Sequence, residues 1–255
     1  MSLQIGATIA NGLRRVANRN GLLLVLASVV LGTAWQVAFN SAAAAALPPE
    51  IAGELAPAID GPFPVLVALA VATFLLLPVL SIAAVRTFVA GETDRIPREF
   101  FTRRMVWVVA NLAVGGLAFS ALLMVGTLLL VIPGIVVYVS LLFMTVFVAV
   151  EDENFVAAMR DSWRLTRGNW LRLFGLLLVV IVPFTVVISV LSAGLAIAFG
   201  PASAVPTLAT VTLSMPFSIV ILGVLAEAFL RLRDERGREP APGARDATDA
   251  GTRAI

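Results

Sequence analysis

The sequence predicts an all-α integral membrane protein of six transmembrane helices, joined on one side by short amphipathic cytoplasmic surface helices. Three observations predict it. The chain is 60% hydrophobic and 13% charged over 255 residues, more apolar surface than a soluble domain of that length can enclose. Its apolar residues fall into six runs of about the 20 residues, some 30 Å of helix, that cross a bilayer. The polar segments between the runs alternate in charge, and every arginine falls on one side of the resulting topology.

Residues 1–20 carry Leu3, Ile5, Ile9 and Leu13 at helical spacing, followed by Arg14, Arg15 and Arg19, which reads as an N-terminal interfacial helix. The membrane domain occupies 21–230. Its first span covers 21–40. Basic residues before an apolar run also describe a signal peptide, but this run is long and five more follow, so it reads as a retained span. The second span covers 63–90, with Pro78 as an internal kink. A polar stretch at 91–104 follows, where Pro97 suits the first turn of a short surface helix. The third and fourth spans are 105–131 and 135–150, with Pro133-Gly134 as a tight reversal between them. The fifth span is 171–199 and the sixth 206–230, containing Pro183 and Pro216. Residues 231–255 read as a disordered cytoplasmic tail.

Charge sets the orientation. The N-terminus, 91–104, 151–172 and the tail share one side and hold the arginines, while the other side holds only Glu50, Glu54 and Asp60. The positive-inside rule then places both termini in the cytoplasm of a plasma-membrane protein. A faint repeat joins Phe88-Val-Ala-Gly-Glu92 to Phe147-Val-Ala-Val-Glu151, at the ends of the second and fourth spans. It suggests three outward-pointing hairpins, although four matching positions in five also arise by chance in an Ala/Val-rich chain.

The longest polar insert between apolar runs, 151–170, reads as an amphipathic helix. At 100° per residue, Phe155, Val156, Met159, Trp163, Thr166 and Trp170 share one face, with Arg160, Arg164 and Arg167 on the adjoining flank. Gly168 suits a C′ position and Asn169 an N-cap. Arg160, Arg164, Arg167 and Arg172 are therefore candidate contacts for anionic lipid. The alternative is that the apolar face packs on the ends of the spans and the arginines are merely solvated.

Chemistry is scarce. With no cysteine and no histidine, the chain offers no thiol nucleophile, imidazole base or usual zinc ligand set. No phosphate-binding glycine loop or nucleophile elbow occurs. The clusters Glu92/Asp94 and Glu151-Asp152-Glu153 read as residues opening surface helices, where carboxylates suit the positive dipole end. No catalytic residue, metal ligand or cofactor is assigned. The intramembrane polar candidates are Arg86, Asn111 and Glu227. Arg86 lies near the inner end of the second span and can snorkel. Glu227 has Arg231 one turn later, so both read as structural anchors. Asn111 and Gln36 read as links between helices, Gly116-x-x-x-Ser120 as a close-packing pair, and Thr207, Thr210, Ser214 and Ser218 as a hydroxyl stripe used in packing.

Ile132-Pro-Gly-Ile135, Val150-Glu-Asp-Glu-Asn-Phe-Val156, Ser162-Trp-Arg-Leu-Thr-Arg-Gly-Asn-Trp170 and Leu173-Phe-Gly-Leu176 together resemble a multi-pass module of unknown function. The module is similar to haloarchaeal proteins that consist of this membrane domain alone. More distantly it resembles the membrane domain attached to some glycerophosphodiester phosphodiesterases. The resemblance is best over 95–180. It implies a six-helix membrane fold and no activity, since the phosphodiesterase reaction depends on histidines and carboxylates of a separate soluble domain. The expected function is a non-enzymatic structural, lipid-binding or partner-binding membrane module. A transporter or channel is the alternative, on the strength of the kinked spans and the hydroxyl stripe. Membrane lipids are the expected partners, with a protein partner or a second copy of the chain as the further class, and no nucleic acid.

Overall fold

The structure is a computed structural model that describes residues 4–48, 52–53, 55, 57–200 and 203–238. Six helices among them are long and apolar enough to cross a membrane, and the described residues form no strand. The protein is an all-α, multi-pass membrane protein.

The helix α1 (Ile5–Val16) precedes the first span, α2 (Arg19–Ala46). The first span is longer than 21–40. Asn18 caps it by accepting the Gly21 N–H at 2.8 Å, and the helix-forming alanines 42–46 extend it at the other end. The second span, α3 (Phe63–Ala90), ends at Gly91, whose φ of 74° only glycine adopts freely. A four-residue helix, α4 (Glu99–Thr102), leads to the third span, α5 (Met105–Leu129).

The reversal into the fourth span lies at Leu130, which is extended, rather than at Pro133-Gly134. The Pro-Gly pair sits inside the first turn of α6 (Val131–Ser140), where proline's missing N–H costs nothing. Gly134 instead permits a close crossing: a Cβ built on Gly126 would lie 3.1 Å from its Cα. Gly115, and not Gly116, makes the other close contact of α5; a Cβ there would meet Phe155 at 3.0 Å, while Gly116 faces open space.

The fourth span is not continuous. It breaks at residues 141–143 and resumes as α7 (Met144–Glu151). The helix α8 (Phe155–Thr166) then turns back against α7, and the fifth span is α9 (Trp170–Phe199). The sixth, α10 (Ala204–Arg238), runs past residue 230, so 231–238 is helical rather than disordered. Arg231 and Arg233 hold that extension by pairing with Glu227 and Glu151. Residues 239–255 of the expected tail lie outside the described residues, as do Leu3, Glu50 and Glu54.

Consecutive spans pair as three hairpins, and α2, α3 and α10 pack mutually. The side-chain core concentrates at the arginine-rich end. There Phe229 packs against Phe143 and Phe147, ring centroids 5.9 and 5.2 Å apart. Toward the opposite end Leu128, Ile132 and Ile197 are exposed, as lipid-facing side chains are. The N-terminal helix does more than lie at an interface, because Thr8, Gly12 and Val16 are buried and α1 packs on α10.

That docking depends on glycine. A Cβ on Gly12 would approach the Val224 Cα to 2.6 Å, and one on Gly223 would meet the Gly12 carbonyl oxygen at 3.0 Å. Gly12→Ala is therefore expected to destabilise the protein by about 1–3 kcal/mol through overpacking. Gly6→Ala, on the open face of the same helix, should be neutral or stabilising by up to about 1 kcal/mol. Thermal midpoints of the two variants in one detergent provide the comparison; equal midpoints would contradict the docking.

Candidate functional site

The broken fourth span governs the arginine-rich end. At the break of 141–143 the N–H groups of Leu141, Leu142 and Met144 keep turn bonds to the Val137, Val139 and Leu141 carbonyls, but the buried Ser140 carbonyl and Phe143 N–H need partners from outside the span. Two residues of α8, one turn apart, supply them. Ser162 Oγ donates to the Ser140 carbonyl at 2.8 Å and accepts the Phe143 N–H at 3.1 Å. Thr166 Oγ1 lies 3.3 Å from the same carbonyl. Both side chains are fully buried.

This docking sets the orientation of α8 and divides its apolar stripe between the inner and the outer face. The buried face is Ala158, Ser162, Leu165 and Thr166. Of the expected apolar face, Thr166 is buried, Phe155, Met159 and Trp170 are half-buried, and Val156 and Trp163 point outward at 52% and 41% exposure. A small hydroxyl-bearing face can approach the broken backbone closely, whereas a tryptophan cannot. The outward surface therefore carries Val156, Arg160, Trp163, Arg164 and Arg167, continued on α9 by Leu171 and Arg172. Trp163 and Trp170 stack edge-on at 5.6 Å.

All four candidate lipid contacts thus share the outward surface of α8 and the start of α9. Arg160 has no hydrogen bond or ion pair among the described residues. Arg164 pairs with Asp161 at 3.2 Å, an exposed contact of little energetic weight. Arg172 donates to the Asn169 side chain at 3.2 Å. Arg167 accepts from Arg236 through its backbone oxygen at 3.4 Å.

The intramembrane candidates hold other helices together. Asn111 accepts the Phe155 N–H at 3.0 Å, joining α5 to the first turn of α8, and donates to the Trp107 carbonyl at 2.9 Å. Gln36 donates to Asn40 of its own helix at 2.9 Å, and its side chain makes no bond to another helix among the described residues. Thr210 and Ser218 bond back to their own helix. Arg86 does not snorkel: it is 3% exposed, and its guanidinium closes the end of the fourth span. It donates to the Ala149 carbonyl at 2.6 Å, the Phe100 carbonyl at 3.0 Å and Asp152 at 3.1 Å. Arg103 joins by pairing with Asp152 at 3.2 Å and donating to the Val150 carbonyl at 2.8 Å.

Glu151-Asp152-Glu153 consequently closes α7 rather than opening α8, whose first turn holds no acidic residue. Carboxylates oppose the negative end of a helix dipole, and Arg86, Arg103 and Arg233 offset them. Glu92 and Asp94 likewise precede no helix start, since α4 has Glu99 in its first turn.

Glu227 is 6% exposed and accepts from three donors: Arg15 at 2.8 Å, Arg231 at 2.8 Å and Asn11 at 3.3 Å. Arg15 also donates to the Phe88 carbonyl at 2.8 Å, so one guanidinium ties α1 to α3 and α10. Arg231 is legible one turn away, but Arg15, 212 residues distant, carries no signal in sequence.

Three expectations follow. Ser162→Ala leaves a buried Phe143 N–H without a partner and should cost about 1–3 kcal/mol in denaturation measurements; a cost near zero would dissociate the hydroxyl from the break. Glu227→Gln strands two guanidiniums that are 28% exposed. It should cost about 2–3 kcal/mol, below the range for a fully buried pair. The third concerns Glu153, whose carboxyl is pushed above the usual range by burial and then by the Asp161 and Glu151 carboxylates. The folded chain binds a proton that the unfolded chain releases between the ordinary and the raised value, so stability falls as pH rises through that window. Glu153→Gln should flatten that limb of the midpoint-versus-pH curve without lowering the midpoint at neutral pH.

A family model described as a domain of unknown function, DUF7847, matches residues 3–232, and the chain belongs to that family. No curated protein and no solved structure matches it.

Proposed function

We propose that this DUF7847 chain is a non-enzymatic structural module of the plasma membrane, with both termini cytoplasmic, whose arginine-rich end binds anionic lipid headgroups. The observation that carries the reading is the two-faced helix α8. Its inner face is committed to the broken span by Ser162 and Thr166, while its outer face presents uncommitted cations beside exposed Trp163 and Val156. Tryptophan with arginine is the pairing found at the headgroup level of a bilayer. Each arginine near an anionic surface contributes about 1 kcal/mol, reduced at Arg164 by its pairing with Asp161. Kinship with haloarchaeal proteins of this type, and more distantly with phosphodiesterase-linked membrane domains, is part of the reading and rests on the motifs at 132–135 and 162–170.

One observation favours transport as a second reading, because discontinuous spans are a device of transporters. In this chain Ser162 and Thr166 occupy the groups freed at the break. A screen of ions, osmolytes and small metabolites for thermal stabilisation separates the readings. A soluble ligand that stabilises the protein, with loss of the effect in Ser162→Ala, would favour transport.

Changing Arg160, Arg164 and Arg167 together to Gln is expected to reduce anionic lipid retained in native mass spectrometry severalfold; equal retention would sink the lipid reading. Sidedness is checked with single cysteines in this cysteine-free chain. Ala52→Cys should react with an impermeant reagent applied to intact cells, and the exposed Val156→Cys should not. The opposite pattern would invert the topology.

A further inference from the structure

A second polar feature lies apart from α8. Between α1 and the end of α3 is a cleft of about 220 Å³, with Arg14, Arg15, Asn18, Gly91, Glu92 and Thr93 among its walls. It exists because α1 docks on α10 through Gly12 and Gly223 while Gly91 turns the chain away from α3. Its walls are fixed. Asn18 caps α2 and donates to the Arg15 carbonyl at 2.8 Å. Asn20 donates to the Glu92 carbonyl at 3.0 Å, holding the opposite wall.

The charges within it are unevenly committed. Arg15 is engaged by Glu227 and by the Phe88 carbonyl, which offsets the negative end of the α3 dipole. Arg14, the preceding residue, is exposed and has no hydrogen bond or ion pair among the described residues. Among the residues that line the cleft the guanidiniums of Arg14 and Arg15 outnumber the Glu92 carboxylate by one, and the Glu227 carboxylate that engages Arg15 is shared with Arg231. A guanidinium whose fork is free is matched by the oxygens of a phosphate group. The volume lies below the ~300–1,000 Å³ of drug-sized pockets and suits a headgroup-sized ligand. Glu92 opposes a second negative charge, so a singly charged phosphodiester fits better than a dianion. Exposed Leu13 on α1, with Leu22 and Leu23 at the start of α2, provides apolar surface within a few residues of the walls.

We propose that this cleft is a phosphate-binding site, with Arg14 as the ligating guanidinium, Arg15 as its fixed neighbour and Glu92 as the group that limits the ligand to a single negative charge. The phosphate arrives either as a phospholipid headgroup or as a free anion. The site is independent of the α8 surface.

The test uses the full chain in dodecyl maltoside, with Arg160, Arg164, Arg167 and Arg172 changed to Gln so that the outward surface of α8 and the start of α9 contributes no cation. Thermal midpoints are recorded against dioleoyl phosphatidylglycerol, inorganic phosphate and, as a headgroup-free control, dioleoylglycerol. At least one phosphate-bearing probe is expected to raise the midpoint and dioleoylglycerol to leave it unchanged. A response to the phospholipid alone identifies a lipid source, and a response to inorganic phosphate alone a free anion. Adding Arg14→Gln should weaken the apparent affinity about tenfold or more, as loss of a charge-assisted bond does. The unliganded midpoint should not move, because Arg14 is exposed and unpaired among the described residues. Glu92→Gln should leave the affinity for phospholipid equal or tighter and raise that for inorganic phosphate. No response to either phosphate probe, a response untouched by Arg14→Gln, or weaker binding in Glu92→Gln would each overturn the proposal.

Discussion

Satisfaction of the backbone at the broken fourth span is the constraint on which the arginine-rich end depends. In a membrane protein no water is at hand to take up orphan carbonyls and N–H groups inside the fold. Ser162 and Thr166 take them up at residues 140–143, and Arg86 with Arg103 takes them up again at 149–150. Between these two sets α7 buries five of its eight residues, Met144 and Val146 to Ala149. Once its beginning and end are fixed, α8 has one orientation, and its outward surface follows from that.

The arginines divide into two populations by burial. Arg86 is buried among carbonyls and one carboxylate, and Arg15 and Arg231 share a carboxylate that is itself buried. In such places a charge is tolerated only when paired and hydrogen-bonded, so these residues join helices. Arg14 on α1 and Arg160, Arg164 and Arg172 on the outward surface are exposed, and an exposed ion pair is worth ~1 kcal/mol or less. Their charge remains available to a ligand. Arginine, which supplies all 18 basic residues of this lysine-free chain, suits both uses, because guanidinium is weakly hydrated and forms several directed bonds at once.

Glycine sets where helices approach. Gly12 and Gly223 seat α1 on α10, Gly126 and Gly134 bring α5 to α6, and Gly115 admits Phe155 and Met144. Each lies where a methyl group would collide with backbone or with a packed side chain. The α1 contact in turn delivers Arg15 to Glu227 and to the end of α3. Close packing and charge pairing are therefore coupled at the same few turns.

The sequence alone determined the number of spans, the sidedness of the charge and the nature of the residues available for chemistry. Apolar run length and arginine placement are local, additive quantities that need no partner to be read. The helix end marked by Gly168 is local in the same way. Tertiary structure decided the rest. Ser140-Leu-Leu-Phe143 contains neither proline nor glycine, so the break there is set by hydroxyls some 20 residues away. The apolar stripe of α8 left its inner face open between lipid and protein, because the spacing of apolar side chains carries no trace of an orphan carbonyl's demand for a donor. The partnership of Arg15 with Glu227 joins the N-terminal helix to the last span, and Arg86 reached its carbonyls by burial where snorkelling was the local option. Such bonds exist only once distant segments are brought together, since each compensates a desolvation that folding itself creates.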